Sequence, residues 1–236
     1  MVQLKENPGL YQKILDTRTL SDRIYQLLVD RILSGEIIYG EKLNIRKIAQ
    51  MLGVSTMPVR EAIRHLAWEN VVEIKPRSTC LVKKPTQASM LEAFDMREMI
   101  ELYSIERIFP TIELEELSDL KRYLKGMDEN LPENNEDPKM SVYVKYDQLF
   151  HQEFCVLTRN SYLLKTYRTN MLHLNIAMTF YAGVEPNMKQ VHADHCTVVQ
   201  CLAANSMEAV YILKKHLEKC RQNMVQGHLF NSLPYQ

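Results

Sequence analysis

The sequence predicts a mostly α-helical chain in two parts: a small helix-turn-helix unit closed by a β-hairpin, then an antiparallel all-α bundle of six or seven helices. Three observations carry this. Residues 1–85 run helix, helix, tight glycine turn, helix and two short strands, whereas residues 86–236 hold no convincing strand. Charge divides at the same place: residues 1–85 contain 14 Lys and Arg against 9 Asp and Glu, and residues 86–236 contain 15 against 20, so a net charge of zero hides a basic half and an acidic half. The 236-residue chain is 46% hydrophobic and 25% charged, with only 7 Gly and 9 Pro, the balance of an ordinary folded chain rich in helix. A small basic module joined to a larger acidic one points to nucleic acid on one side only. No apolar run approaches the ~18–20 residues that a bilayer crossing needs, and the start lacks the apolar core of a signal peptide. The 5 cysteines form no CxxC pair and read as reduced thiols. The expectation is a cytoplasmic chain with no membrane partner.

In the basic part, TLSDRIYQLLVDRILS puts Leu20, Ile24, Leu27, Leu28 and Ile32 on one helical stripe that Gly35 stops. NIRKIAQMLG follows, with Asn44 as cap, Ile45, Ile48 and Leu52 as apolar face, and Gly53 as terminator. STMPVREAIRHLAWEN is the third helix. Ser55 is placed to cap it, Pro58 is tolerated in the first turn, and Val59, Ala62, Ile63 and Leu66 form its buried face. VVEIK and TCLVKK read as two strands around a turn at Pro76–Ser78. This is the layout of a winged helix-turn-helix, whose third helix enters the major groove of double-stranded DNA. Arg60 and Arg64 project together from its exposed face, and Thr56 and Met57 stand at its N-terminal tip. Arginine matches guanine O6 and N7 bidentately. Arg46 on the preceding helix, and Lys75, Arg77, Lys83 and Lys84 on the hairpin, suit phosphate or groove contact.

In the acidic part, MLEAFDMREMIELYSIERI is a long helix with apolar Leu91, Phe94, Met99, Leu102 and Ile105, and ELEELSDLKRYLKGM is another. A polar loop over 128–139 follows, then helices near 141–158, 161–182, 187–204 and 206–227, with Ser161 and Ser206 placed to cap two of them. Asp147 and His151 stand four apart on one helix, His195 lies mid-helix in VHADHCTVVQCL, and His216 lies in YILKKHLEK. Three imidazoles and a carboxylate from three bundle helices can converge on one divalent cation, with Zn, Ni, Mn and Fe all suited to such ligands. His65, His173, His192 and His228 read as ordinary core or boundary histidines.

IRKIAQMLGVSTMPVREAIRHLAWENVVEIKPR resembles the DNA-binding domain of the GntR family of bacterial transcriptional regulators, through Leu52–Ser55 and Pro58–Ala62. The resemblance implies DNA contacts at Arg46 and Arg60. Thr56 stands where many members have Arg, and Thr79 where many have Gly at the wing. DQLFHQEFCVLTRNSYLL and DHCTVVQCLAANSMEAVYILKKHL are similar to the FCD effector domain of the FadR-type branch. That likeness puts Asp147, His151, His195 and His216 on the four metal positions, which implies a metal-binding member with one cation per chain. It also matches Arg97 and Glu101 to the first bundle helix, where Arg turns toward an organic-acid ligand; the residues alone allow a surface ion pair between the two. The expected division is an extension at 1–17, the winged domain at 18–84, a linker at 85–88, the effector-binding and dimerisation domain at 89–228, and a tail at 229–236.

The function implied is a homodimeric, sequence-specific DNA-binding regulator whose operator affinity responds to a small carboxylate held at or near the metal. A purely structural metal is the alternative. A metalloenzyme with an accessory DNA-binding domain is a further one, but no general base stands beside the ligands, and an enzyme is not expected.

Overall fold

A computed structural model describes residues 19–75, 79–133, 137–180 and 187–226. Arg77 and the turn at Pro76–Ser78, His228, the first 17 residues and the tail lie outside the described residues. The chain divides into two compact units between Lys84 and Pro85.

In the first unit, α1 (Leu20–Leu33) starts at a reciprocal cap: Asp22 N–H donates to Thr19 Oγ1 and Thr19 N–H to the Asp22 carboxylate. Its buried face is Ile24, Leu28, Val29 and Ile32; Leu20, expected on that face, is 49% exposed because it precedes the first packed turn. Strand β1 (Lys42–Leu43) then leads into α2 (Ile45–Leu52). Asn44 accepts from Lys47 N–H and Gly53 closes α2 at φ 66°, a left-handed turn that favours glycine. Helix α3 (Thr56–Trp68) buries Val59, Ala62, Ile63 and Leu66, as its spacing predicts. Ser55 occupies the cap position without a side-chain bond to the helix. Strands β2 (Val72–Lys75) and β3 (Thr79–Val82) pair antiparallel, and β1 adds to the outer edge of β3, giving the order β1-β3-β2. A two-residue strand carries no alternation to read, so the sequence does not announce β1.

The second unit is a bundle of six helices among the described residues: α4 (Gln87–Ile108), α5 (Ser118–Glu129), α6 (Lys139–Leu157), α7 (Ser161–Phe180), α8 (Met188–Ala203) and α9 (Glu208–Gln226). A capping box between Thr86 and Ser89 opens α4. Asn160, not Ser161, caps α7 by accepting from Tyr162 and Leu163 N–H, whereas Ser206 does accept from Glu208 N–H ahead of α9. Among the described residues, two apolar clusters fill the bundle. The larger gathers Ile105, Leu120, Tyr143, Phe150, Val198 and Leu213; the smaller gathers Phe94, Ile100, Cys155, Tyr167 and Leu174. All five cysteines are free thiols. Helices α5 and α6 meet at Gly126, where a Cβ would fall 2.6 Å from the Tyr146 ring. Gly126→Ala is therefore expected to destabilise the bundle by about 1–3 kcal/mol through overpacking. Thermal melting checks this, and an unchanged midpoint would mean that Tyr146 swings aside.

Candidate metal centre and nucleic-acid interface

The spacing of α4 brings Arg97, Glu101, Ser104 and Ile108 to one buried stripe. A charged pair inside a bundle needs strong compensation, and Glu101 has it. Its Oε1 accepts from Arg97 Nε at 2.7 Å and from the Tyr167 hydroxyl at 3.0 Å, and its Oε2 faces His151 Nδ1 at 2.7 Å. Burial raises the Glu101 pKa, but the Arg97 guanidinium and then His151 outweigh it and hold the carboxyl at about 2. The Arg97–Glu101 ion pair that the spacing allows is thus formed, but in the core rather than on the surface. Met99, expected inside, is 59% exposed, because α4 turns its charged stripe inward at this level.

Beyond Glu101 the three predicted histidines converge. His151 from α6, His195 from α8 and His216 from α9 are all buried, and their ligand nitrogens lie within 4.8 Å of one another. His195 Nε2 stands 3.1 Å from His151 Nε2 and 3.3 Å from His216 Nε2. Asp147, one turn before His151, places Oδ1 3.8 Å from His151 Nε2 and 3.6 Å from His195 Nε2. His216 Nδ1 lies 3.8 Å from Asp194 Oδ2, and Asp194 is held in turn by Gln190 and Lys219. Burial, then the neighbouring His216 and His151 rings, hold the His195 pKa well below its ordinary value. Burial likewise lowers His151 against the pull of Glu101. At His216 burial opposes charge, but the Cys220 sulfur and the Asp194 carboxylate push the pKa up to about 9.

The sites predicted for DNA lie in the first unit. Arg46, Thr56, Met57, Arg60 and Arg64 are all exposed, and the three arginines make no ion pair among the described residues. Met57, Arg60 and Arg64 share the face of α3 opposite its buried stripe. Thr79 is half-buried and opens β3 opposite Lys75. Lys83 bonds Asn70, Lys84 lies over the Tyr39 ring, and Lys75 pairs with Glu73.

A family model described as "Bacterial regulatory proteins, gntR family" matches residues 20–82, and one described as "FCD domain" matches residues 92–219, more than half of the chain. The chain belongs to the GntR family of bacterial regulators and carries an FCD domain. The Uxu operon regulator of Haemophilus influenzae is 27% identical over 246 residues, which covers 90% of this chain and 88% of that protein. The transcriptional regulator YdhC of Bacillus subtilis is 25% identical over 141 residues, 60% of this chain and 62% of its own length. The chain thus spans a little under two thirds of the length of the first curated relatives it matches. Those relatives are transcriptional regulators by name, not enzymes. A solved GntR regulator from Rhodococcus sp. RHA1 superposes with a TM-score of 0.74 at 21% identity, covering 87% of this chain and 97% of that one. Escherichia coli McbR/YncC gives 0.72 at 18% identity, covering 89% and 98%. At such identities these two show the fold.

The FCD donor set fits a cation on its own chemistry. A neutral imidazole has one N–H. If His151 gives its own to Glu101 through Nδ1, its Nε2 presents a lone pair, and His195 Nε2, whether it donates or accepts, can satisfy only one of its two neighbours. One cation takes all three lone pairs. With metal–nitrogen bonds of about 2.1 Å, ligand nitrogens stand roughly 3.0–3.4 Å apart in octahedral or tetrahedral arrangement, which brackets the two edges at His195. His195 Nδ1 and the Tyr143 hydroxyl, one turn before Asp147, are buried with no partner among the described residues. Sequence reasoning found the imidazoles but missed Glu101 as the orienter of His151. The only sequence signal was its spacing from Arg97. Asp194 as the partner of His216 was visible only as an acidic residue beside His195.

Proposed function

We propose that this GntR-family chain is a sequence-specific DNA-binding regulator that reads paired half-sites as a homodimer. In this reading its FCD bundle binds one divalent cation and a small carboxylate that together change operator affinity. The observation that carries the reading is the convergence of three buried Nε2 atoms inside the effector domain of a regulator. His151, His195, His216 and Asp147 would hold the cation, whose role is to draw a carboxylate oxygen into the open positions of its coordination shell. Glu101 orients His151, as outer-shell carboxylates do at metal sites. The Arg97–Glu101 bond uses one of five guanidinium N–H donors, and the remainder are the candidate grip on the other end of the ligand. The ligand shifts operator affinity only by its preference for one arrangement of the dimer.

The test is operator binding by fluorescence anisotropy with the metal-free protein, the metal-loaded protein, and the loaded protein with a panel of small carboxylates. The expected result is an affinity change that needs both cation and acid. The engagement of Arg97 by Glu101 favours a second reading, a structural cation that senses nothing. In that case metal raises the melting temperature and no acid alters DNA binding.

Exposure of Arg60 motivates the DNA prediction. Arg60→Ala is expected to weaken specific binding by about 1–3 kcal/mol, whereas Lys83→Ala weakens all sequences alike and flattens the salt dependence. A gel shift with Arg60→Ala at wild-type affinity would rule out α3 as the reading helix.

For the dimer, the outer face of α4 presents Met96, Met99 and Tyr103, apolar and 36–59% exposed, at helical spacing. Met99→Lys with Tyr103→Lys is expected to convert the full chain to monomers on a sizing column with light scattering. A dimer of unchanged stability would move the interface elsewhere.

A further inference from the structure

We propose that Cys220 is a thiolate ligand of the cation held by the His triad, and that it makes the site selective for borderline and soft cations such as Zn²⁺, Co²⁺ and Cd²⁺. The inference rests on the metal reading above and adds to it. Cys220 follows His216 by four residues on α9, so both side chains leave the same face of the helix. Its Sγ stands 3.7 Å from His216 Nε2, the very nitrogen that lies 3.3 Å from His195 Nε2. A tetrahedral cation with metal–nitrogen bonds of about 2.1 Å and a metal–sulfur bond of about 2.3 Å sets nitrogen and sulfur roughly 3.6 Å apart and two nitrogens roughly 3.4 Å apart. The two separations at His216 Nε2 fall within a few tenths of these; Sγ does not lie within 4.8 Å of all three triad nitrogens, so ligation requires the sulfur to swing toward the cation.

The other thiols near the bundle core do not share this placement. Cys155 meets the Ser104 hydroxyl, and Cys196 meets His192, an imidazole outside the triad. Among the described residues, Cys220 is therefore the thiol in contact with a triad nitrogen. The remaining donor, Asp147, flanks His151 and His195 instead. The triad thus has a hard carboxylate at one end and a soft sulfur at the other. Metals that favour oxygen draw on Asp147 and keep open positions for the carboxylate; a tetrahedral metal that takes Cys220 has none left. On binding, the thiol gives its proton to solvent and its sulfur lone pair to the metal, with no change of oxidation state.

The experiment is a Co²⁺ titration of the full chain under reducing conditions, read by absorption. Wild type is expected to develop visible ligand-field bands together with a near-ultraviolet thiolate-to-cobalt charge-transfer band, both saturating at one equivalent. Cys220→Ser should keep the ligand-field bands, lose the charge-transfer band, and keep the wild-type circular dichroism. Cys196→Ser should retain both. In competition, Cys220→Ser should lower Zn²⁺ affinity by at least about tenfold and change Mn²⁺ affinity by less than about twofold. One bound Co²⁺ without a charge-transfer band in wild type would overturn the assignment of Cys220 and leave the His triad standing. No Co²⁺ binding would overturn both. Loss of the band in Cys196→Ser but not in Cys220→Ser would overturn it by moving the sulfur to His192.

Discussion

His195→Ala is expected to abolish cation binding and to lower the melting temperature of the bundle while operator binding survives. His195 is the sharpest point to cut, because its Nε2 lies 3.1 and 3.3 Å from the Nε2 atoms of His151 and His216. A cation present at ~1,000 times its Kd, and bound only by the folded state, stabilises by about 4 kcal/mol. In a domain of ~150 residues each kcal/mol moves the midpoint by roughly 2–4 °C, so removing the metal costs on the order of 10 °C. The winged unit is a separate compact body and keeps its own core. Metal analysis on His195→Ala and His216→Ala decides the matter, and full cation content in both would remove these residues as ligands. Binding also has a proton signature. Imidazoles ligate only when neutral, and His216 is pushed up to about 9 by Cys220 and Asp194 against burial. Below that value the cation must displace a proton, so apparent affinity falls as pH drops below about 9 rather than below the ordinary histidine value of about 6.5. Calorimetry with Mn²⁺, which does not draw on Cys220, at about pH 7.5 in buffers of different ionisation enthalpy should report about one proton released per cation.

The parts of the fold that follow local rules were legible in the sequence. Asn44 and Gly53 bracket α2 by capping chemistry alone, and Val59, Ala62, Ile63 and Leu66 follow from period 3.6. The three histidines were legible as a set because helical spacing and family likeness agreed. What escaped depended on tertiary packing. Strand β1 exists only because β3 offers it an edge. Ala49 is more buried than the larger Ile45, Ile48 and Leu52 that the pattern favoured, since close approach selects the small side chain. On α4 the apolar pattern is weak, because the helix buries a salt bridge and exposes Met96, Met99 and Tyr103. No periodicity count on one helix reveals that Glu101, rather than Met99, faces the core, because the reason lies on α6 and α7, in His151 and Tyr167.

That dependence makes Glu101→Gln the substitution with the broadest expected effect. The carboxylate accepts from Arg97, Tyr167 and His151 at once, at 2.7, 3.0 and 2.7 Å. A carboxamide of the same shape has one acceptor oxygen. Its amide N–H must face either the Arg97 or the His151 donor, and Arg97 becomes a buried cation without a counter-charge. Breaking a buried pair in this way costs about 3–5 kcal/mol. His151 loses its orienting carboxylate as well, so cation affinity should fall about 10–100-fold. The pH dependence separates these causes from simple mispacking. Burial raises the Glu101 pKa, Arg97 and His151 lower it further, and the folded value of about 2 lies below the ordinary 4.5. The unfolded chain therefore takes up the proton first as pH falls. The stabilisation is fully present above about 4.5 and is lost as pH drops through about 2, a contribution on the order of 3 kcal/mol. Denaturant unfolding of the metal-free chain between pH 5 and pH 2 should show this slope in wild type and lack it in Glu101→Gln. Equal slopes in the two proteins would mean that Glu101 does not carry the charge that holds Arg97 and His151 in place.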